Sequence, residues 1–431
     1  MPRISTSLIR KARTLDALLP VLLAPCRNLQ AAQNELRWLR EHVEEVAKKR
    51  HAQQDKLVKG ALLRQLVQER ARGKPLQYIL GTEYFGNLEI RCKPGVLIPR
   101  PDTAASVAHL VRLLRDSQHL PPELRLLDLC TGTGCIPLLF QHEFLSARKD
   151  VELRLLGVDI CDKALALATQ NLQRLSKDRQ LMIKGKTNFM KADVLMDPFV
   201  DAFRKVLPFK TALNHAHQPN YWDILISNPP YISPSAFWKT TTRSVRNFEP
   251  KLALVPPSKA KHTDTQQGDM FYPRLLDIAQ DVEAKVVLLE VADVDQAVRV
   301  ANTARDMDMF DGVEIWREDP NARSTTMTQD GFEIIGEGNA RTVLCWRGQG
   351  AHWLGKVTTT KGIAEDAKGL SRSRPTTSME FAKPSPPKTD IDHLRPQFDM
   401  NIFSQQNNET CSRLPSDKKE SDQSKGSDPE S

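Results

Sequence analysis

One stretch restricts this chain more than any other. A largely apolar run, Leu124 to Leu129, leads into Cys130-Thr131-Gly132-Thr133-Gly134-Cys135 and then into Ile136 to Phe140. The order is strand, glycine loop, helix. Glycines let a ligand approach the backbone closely, and a helix start behind them offers unpaired N–H groups. That arrangement belongs to an open α/β sheet, whose ligand crevice lies beyond the carboxyl ends of its strands. Strand candidates at Leu153–Val158, ahead of Asp193, and at Trp222–Ile226, Val286–Val291, Gly312–Trp316 and Thr342–Trp346 make seven in all, enough for one large sheet.

The glycine loop narrows the ligand. A dinucleotide fingerprint would place a third glycine at position 137, where this chain has Pro137. Asp128, just before the loop, suits a cofactor without phosphate, S-adenosylmethionine: a carboxylate can receive its amino-acid ammonium or a bridging water. The expected cofactor residues in the loop are Cys130, Thr131, Gly132, Thr133 and Gly134. Asp159 ends the next strand, where an acid can accept both ribose hydroxyls. Asp193 follows a third strand and could meet the adenine amino group. Any one of these acids alone reads equally as a helix cap or a loop carboxylate. Their order and spacing make a cofactor site the stronger reading.

Asn228-Pro229-Pro230-Tyr231 follows the strand at Trp222–Ile226. Two consecutive prolines fix two φ angles and remove two N–H donors, leaving a stiff turn that displays carbonyl oxygens. Asn228 adds an amide oxygen that accepts hydrogen bonds, and Tyr231 adds a flat face. Such a turn holds a planar NH2 by both protons, which suits methyl transfer to an amide or an exocyclic amino nitrogen. Asn228, Pro229, Pro230 and Tyr231 are the expected catalytic residues, and Asn228 is expected to border the cofactor as well.

Together these motifs resemble the HemK-type (PrmC-like) glutamine methyltransferases of peptide chain release factors, over roughly residues 28–347. The resemblance also rests on Arg72 to Gly81, on Tyr84-Phe85-Gly86 with Pro94 to Thr103, which resemble that family's hairpin, on Phe248-Glu249-Pro250, and on Glu290 and Gln296. Cys130 departs from the family's first loop glycine, and residues 203–221 and 255–268 look like insertions. The resemblance implies a seven-stranded, Rossmann-like class I S-adenosylmethionine-dependent methyltransferase. A small N-terminal helical domain (1–75) would dock the substrate. A hairpin linker (76–110), a catalytic domain (111–350) and a disordered tail (356–431) would follow. The acceptor would be the glutamine of a release factor's Gly-Gly-Gln loop. The Asn228 side-chain oxygen would take one amide proton, the Pro229 carbonyl the other, and Tyr231 would pack on the glutamine or shape its slot.

The remaining sequence bounds partners and location. Residues 1–75 carry sixteen Lys/Arg against seven Asp/Glu, while the whole chain is +8, so the positive excess sits in the helical region. It reads as a solvated helix surface or as attraction to an acidic or RNA-bound partner. Leu36, Leu39, Val43 and Val46, and Leu62, Leu66 and Glu69, fall at helical spacing and read as core. Met1 to Leu15 has Arg3, Arg10, Lys11 and Arg13 and no acid, which reads as a mitochondrial targeting segment or as a first domain helix. Mitochondrion is the expected location, the cytoplasm the alternative. No apolar run has the ~18 residues of a membrane helix. Seven cysteines without paired C-x-x-C spacing, and histidines without a ligand cluster (His215 and His217 included), give no metal site. A monomer without stable nucleic-acid binding is expected. Beyond Gly355, twelve basic and twelve acidic residues cancel in a Ser/Pro/Lys/Asp-rich tail. An adenine amino-methyltransferase acting on DNA or RNA, and a non-catalytic scaffold, are the competing readings.

Overall fold

Four helices open the chain: α1 (Thr6–Leu15), α2 (Leu19–Cys26), α3 (Leu29–Lys49) and α4 (Lys56–Ala71). The computed structural model describes residues 3–49, 56–178, 180–181, 185–196, 206–258, 262–322 and 327–356. From Leu36 onward, the buried positions of α3 are Leu36, Leu39, Val43 and Ala47. Val46, expected in that stripe, is only half-buried, because 3.6 residues per turn carries the face from Val43 to Ala47. Leu66 and Val67 meet it from α4, with Leu62 packed beside them. Arg70 of α4 grips Glu35 of α3 through two bonds, at 2.7 and 2.9 Å. Residues 4–15 join this core. Ser5 caps α1, Ala12 is buried, and Leu8 and Ile9 pack on the same cluster.

Helix α5 (Leu76–Leu80) ends on Gly81 in the left-handed region (φ 83°) and hands over to a hairpin of β1 (Thr82–Phe85) and β2 (Leu88–Arg91). Of the expected hairpin segments, only the first is paired. Residues 94–100 form a loop, and Pro101 opens α6 (Pro101–Arg115), where its missing N–H costs no helical bond. Helix α6 also runs through the expected boundary at residue 110, so the chain has no break there.

The central sheet contains β3 (Glu123–Leu129), β4 (Glu152–Asp159), β5 (Gly185–Lys191), β6 (Ile224–Ser227), β7 (Val286–Glu290), β8 (Gly312–Asp319), β9 (Met327–Gln329), β10 (Phe332–Ile335) and β11 (Glu337–Trp346). Its order is β5-β4-β3-β6-β7-β11-β8-β10-β9. β5 through β7 pair in parallel, and β11 runs antiparallel to both its neighbours. Side-chain alternation divides two cores across the sheet. Leu124 and Leu126 face one core with Leu153 and Leu155; Leu127 and Leu129 face the other with Leu156 and Val158. Helices α7 (Cys135–Ala147) and α8 (Asp162–Lys177) follow β3 and β4. This is the seven-stranded, Rossmann-like class I methyltransferase architecture expected from the sequence, lengthened at one edge by β10 and β9.

The stretch expected as an insertion at 203–221 is integrated where it is described. Phe209, Ala212 and Leu213 of helix Phe209–His215 are buried, and the Asp193 N–H donates to the Leu207 carbonyl at 3.0 Å. The tail from residue 357 onward lies outside the described residues.

Candidate active site

Leu129 of β3 and Ser227 of β6 are register partners, and the Ser227 hydroxyl donates to the Leu129 carbonyl at 2.7 Å. The two strand ends therefore release Cys130 and Asn228 side by side. They do so where the order of the sheet reverses, with β4 on one side of β3 and β6 on the other. An open α/β sheet builds its ligand crevice at such a switch point.

A cavity opens there. Cys130, Thr131, Gly132 and Thr133 line it from the loop, Asp159 and Asp193 from the ends of the next strands, and Asn228 and Pro230 from the turn. Four expected site residues, Asp128, Gly134, Pro229 and Tyr231, are not among its lining residues. Gly132 has open space where a Cβ would stand. Gly134 serves packing instead: a Cβ there would lie 2.8 Å from the Phe189 ring and 3.0 Å from Ala168. Cys130 takes φ 66° in the left-handed region, which a Cβ makes costlier by ~1–2 kcal/mol.

Asp159 Oδ2 accepts from the Gly132 N–H and Oδ1 from the Cys161 N–H, both at 2.9 Å. A carboxylate has about four acceptor sites, so it keeps capacity for a diol. Burial raises its carboxyl, and the backbone N–H groups of Cys161, Gly132 and Ile160 oppose that rise. Asp193 Oδ1 accepts from the Leu195 N–H at 2.9 Å.

Asp128 is fully buried behind the loop. Among the described residues neither of its oxygens, nor the hydroxyls of Thr131 and Thr133, meets a partner in good hydrogen-bonding geometry, although the Thr131 hydroxyl lies near enough to act on the carboxyl. Burial pushes its carboxyl up to about 8. Such a group favours a cation or hydrogen-bond donors beside it. Orphaned acceptors, open space at Gly132, a spare-capacity carboxylate at Asp159 and apolar walls from Val158, Val194 and Phe271 fit an amino acid joined to a nucleoside.

The turn is held from behind. Asn228 Nδ2 donates to Thr103 Oγ1 at 3.2 Å, and the Thr103 hydroxyl donates to Glu290 Oε2. The Tyr231 hydroxyl donates to Glu290 Oε1 at 3.1 Å. The Tyr231 hydroxyl is thus engaged by Glu290 behind the turn. Gln296 Nε2 donates to the Tyr231 carbonyl at 3.2 Å and to Asp269 Oδ1 at 2.8 Å. Glu249 accepts from Arg100 at 2.8 Å and from the Ile98 N–H at 3.1 Å, which fastens the loop before α6 to the segment after the turn. Residues 95–100 and Thr103 form a cavity wall that site motifs alone did not reveal. The only sequence signal for it was the family-like segment from Pro94 to Thr103.

Among the described residues no His/Cys/Asp/Glu group is arranged to hold a metal ion, and no helix is long and apolar enough to cross a membrane. No protein-family model matches the chain. By sequence it is similar to the mitochondrial MRF1 N(5)-glutamine methyltransferase MTQ1 of Saccharomyces cerevisiae, at 35% identity over 261 residues, covering 59% of this chain and 68% of the relative. A Schizosaccharomyces pombe protein, "Probable MRF1 mitochondrial N(5)-glutamine methyltransferase mtq1", is 36% identical over 259 residues, 59% of this chain and 73% of that one. The release factor glutamine methyltransferase of Pasteurella multocida is 34% identical over 198 residues, 45% of this chain and 57% of its own length.

Proposed function

The chain belongs to the release factor glutamine methyltransferase family, and from that premise we propose how its own residues carry the reaction. It is an S-adenosylmethionine-dependent enzyme that methylates the side-chain nitrogen of a glutamine in a peptide chain release factor. The DNA or RNA amino-methyltransferase reading is not favoured.

A carboxamide nitrogen is a weak nucleophile because its lone pair is delocalised. S-adenosylmethionine supplies the methyl group already activated on a sulfonium. The chain's own task is then alignment and charge stabilisation. Asn228 carries the reading: its Nδ2 is committed to Thr103 at 3.2 Å, so its Oδ1 remains to accept an amide proton from the substrate. We assign the second proton to the Pro229 carbonyl on family grounds. Both contacts strengthen as the nitrogen gains positive charge, so they stabilise the transition state more than the ground state. Asp159, through its remaining acceptor sites, would hold the ribose hydroxyls. Asp128, with Thr131 and Thr133, would neutralise the ammonium from behind the loop, and Asp193 would meet the adenine edge.

We place the glutamine in the Gly-Gly-Gln loop of the release factor, give substrate docking to the basic helices, and place the enzyme in the mitochondrion, as the names of its fungal relatives suggest. The test is methyl transfer from labelled S-adenosylmethionine to intact release factor, followed by mass spectrometry. Label on the Gly-Gly-Gln glutamine, lost when that residue is changed to glutamate, supports the assignment. An unmodified release factor beside a methylated adenine in RNA or DNA overturns it. Intact release factor should outperform a short Gly-Gly-Gln peptide, and salt should erode that advantage if the basic helices dock it.

A further inference from the structure

Behind the Asn228 amide runs a line of hydrogen bonds with only one consistent direction. An ionised Glu290 can only accept. Its Oε1 takes the Tyr231 proton at 3.1 Å, and its Oε2 takes the Thr103 proton. Thr103 has one proton and has donated it, so it turns a lone pair to Asn228. Asn228 must answer with Nδ2, as it does at 3.2 Å, and Oδ1 is left for the cavity.

We infer that Glu290, acting through the Thr103 hydroxyl, fixes which way round the Asn228 amide stands, and thereby makes the slot select a carboxamide over a carboxylate. The inference rests on Asn228 as the acceptor for the substrate amide. The two ends of an asparagine amide are nearly equal in size, so packing alone does not choose between them. Rotated by half a turn, the amide would meet the substrate NH2 with its own NH2 and would welcome a carboxylate oxygen. A neutral partner in place of the Glu290 carboxylate removes the constraint. It could donate to Thr103, free the Thr103 proton for Asn228 Oδ1, and make the rotated amide equally comfortable. Glu290 and Thr103 are therefore positioning residues. The sequence separations, 187 residues for Thr103–Glu290 and 125 for Asn228–Thr103, make this a property of the assembled sheet.

The test uses the full chain with S-adenosylmethionine and release factors ending their loop in Gly-Gly-Gln or Gly-Gly-Glu. Thr103→Val keeps the side-chain shape and removes the hydroxyl. It should lower kcat by roughly ten- to a hundredfold, the worth of one stranded hydrogen bond, with the KM for S-adenosylmethionine near wild type. The Gly-Gly-Glu protein, a poor competitor against wild type, should compete about tenfold better against this variant. Thr103→Ser should restore both rate and discrimination, and Glu290→Gln should shift both in the direction of Thr103→Val. The inference is overturned if Thr103→Val and Glu290→Gln keep wild-type rate and selectivity. It is equally overturned if they lose rate while the Gln-to-Glu preference stays put, since a general loosening would do that. A wild-type enzyme that leaves the release-factor glutamine unmodified would remove the premise as well, and that control separates the two failures.

Discussion

Glu290 should impose a pH dependence on catalysis and an opposite one on stability. Its carboxyl is almost wholly buried, and burial pushes it up to about 7. The Thr103 and Tyr231 hydroxyls and Arg341 of β11 oppose that rise, and Asp102 of α6 adds to it. Arg100, the Tyr272 hydroxyl and the Cys135 thiol are the other titratable or charged groups coupled to it. If turnover needs the ionised form, the active fraction is about 9% at pH 6 and about 91% at pH 8, so kcat should climb roughly tenfold across that window. Stability runs the other way. A carboxyl held above its unfolded value binds its proton more tightly in the folded chain. Its contribution is full below the ordinary glutamate value of 4.5 and is lost as pH rises through about 7. That gap corresponds to about 3 kcal/mol. Glu290→Gln should therefore lose the acid limb of the kcat profile and turn over more slowly at pH 8. It should also melt higher than wild type at pH 8, and show no such gain at pH 5. The assay is labelled methyl transfer at saturating S-adenosylmethionine from pH 5.5 to 8.5, with thermal unfolding in the same buffers. Saturation matters because Asp128, pushed up to about 8, also titrates and would act through cofactor affinity. An acid limb that stays at the same pH in Glu290→Gln would refute the argument.

Three further outcomes are expected. Asn228→Ala should lower kcat by on the order of a hundredfold or more while cofactor affinity, read by calorimetry, changes little; near wild-type turnover would remove Asn228 from the chemistry. Asp159→Ala should weaken S-adenosylmethionine by ~1–3 kcal/mol, because it loses the diol acceptor and strands the Gly132 and Cys161 N–H groups; unchanged affinity by the same method would contradict that role. The mature protein should retain Thr6 to Leu15, since α1 contributes Ala12 to the helical core and Asp16 just beyond it pairs with Arg40 at 2.5 Å; N-terminal sequencing of the protein isolated from cells that begins after Leu15 would refute this.

The sheet was legible because its strands announce themselves twice. β3, β4, β6 and β7 are largely apolar runs, with glycine or proline just beyond β3 and β6 and an acid ending β4 and β7. What escaped is short or half-exposed. β9 has three exposed residues, and β10 alternates over only four, too few for a period to stand out. Trp222 reads as strand in the sequence because it opens an apolar run. Its indole N–H instead donates to the Pro219 carbonyl, and β6 begins at Ile224, opposite Leu126. The basic segment at the N-terminus allowed two readings by composition. Its burial was decided by which face carries Leu8, Ile9 and Ala12, and by a helical core whose shape no single segment encodes.

The site divides along the same line. The loop, Asp159, Asp193 and Asn228 could be placed at the crevice from sequence because each lies at or within two residues of a strand end, and a parallel sheet delivers its strand ends to one crevice without further instruction. What the turn alone does not give is the partner of the Tyr231 hydroxyl: Glu290, at the end of the neighbouring β7, offers a buried carboxylate that the phenol satisfies. A motif states which atoms reach the crevice. It does not state which end of the Asn228 amide faces the substrate, since that depends on a proton donated by Thr103 to an acid far along the chain. Arg100 and Glu249 likewise join across 149 residues to hold the wall over the cofactor loop. In this chain the reacting groups are written locally, and the selectivity of the slot is written in hydrogen-bond directions that exist only once β6, β7 and α6 have come together.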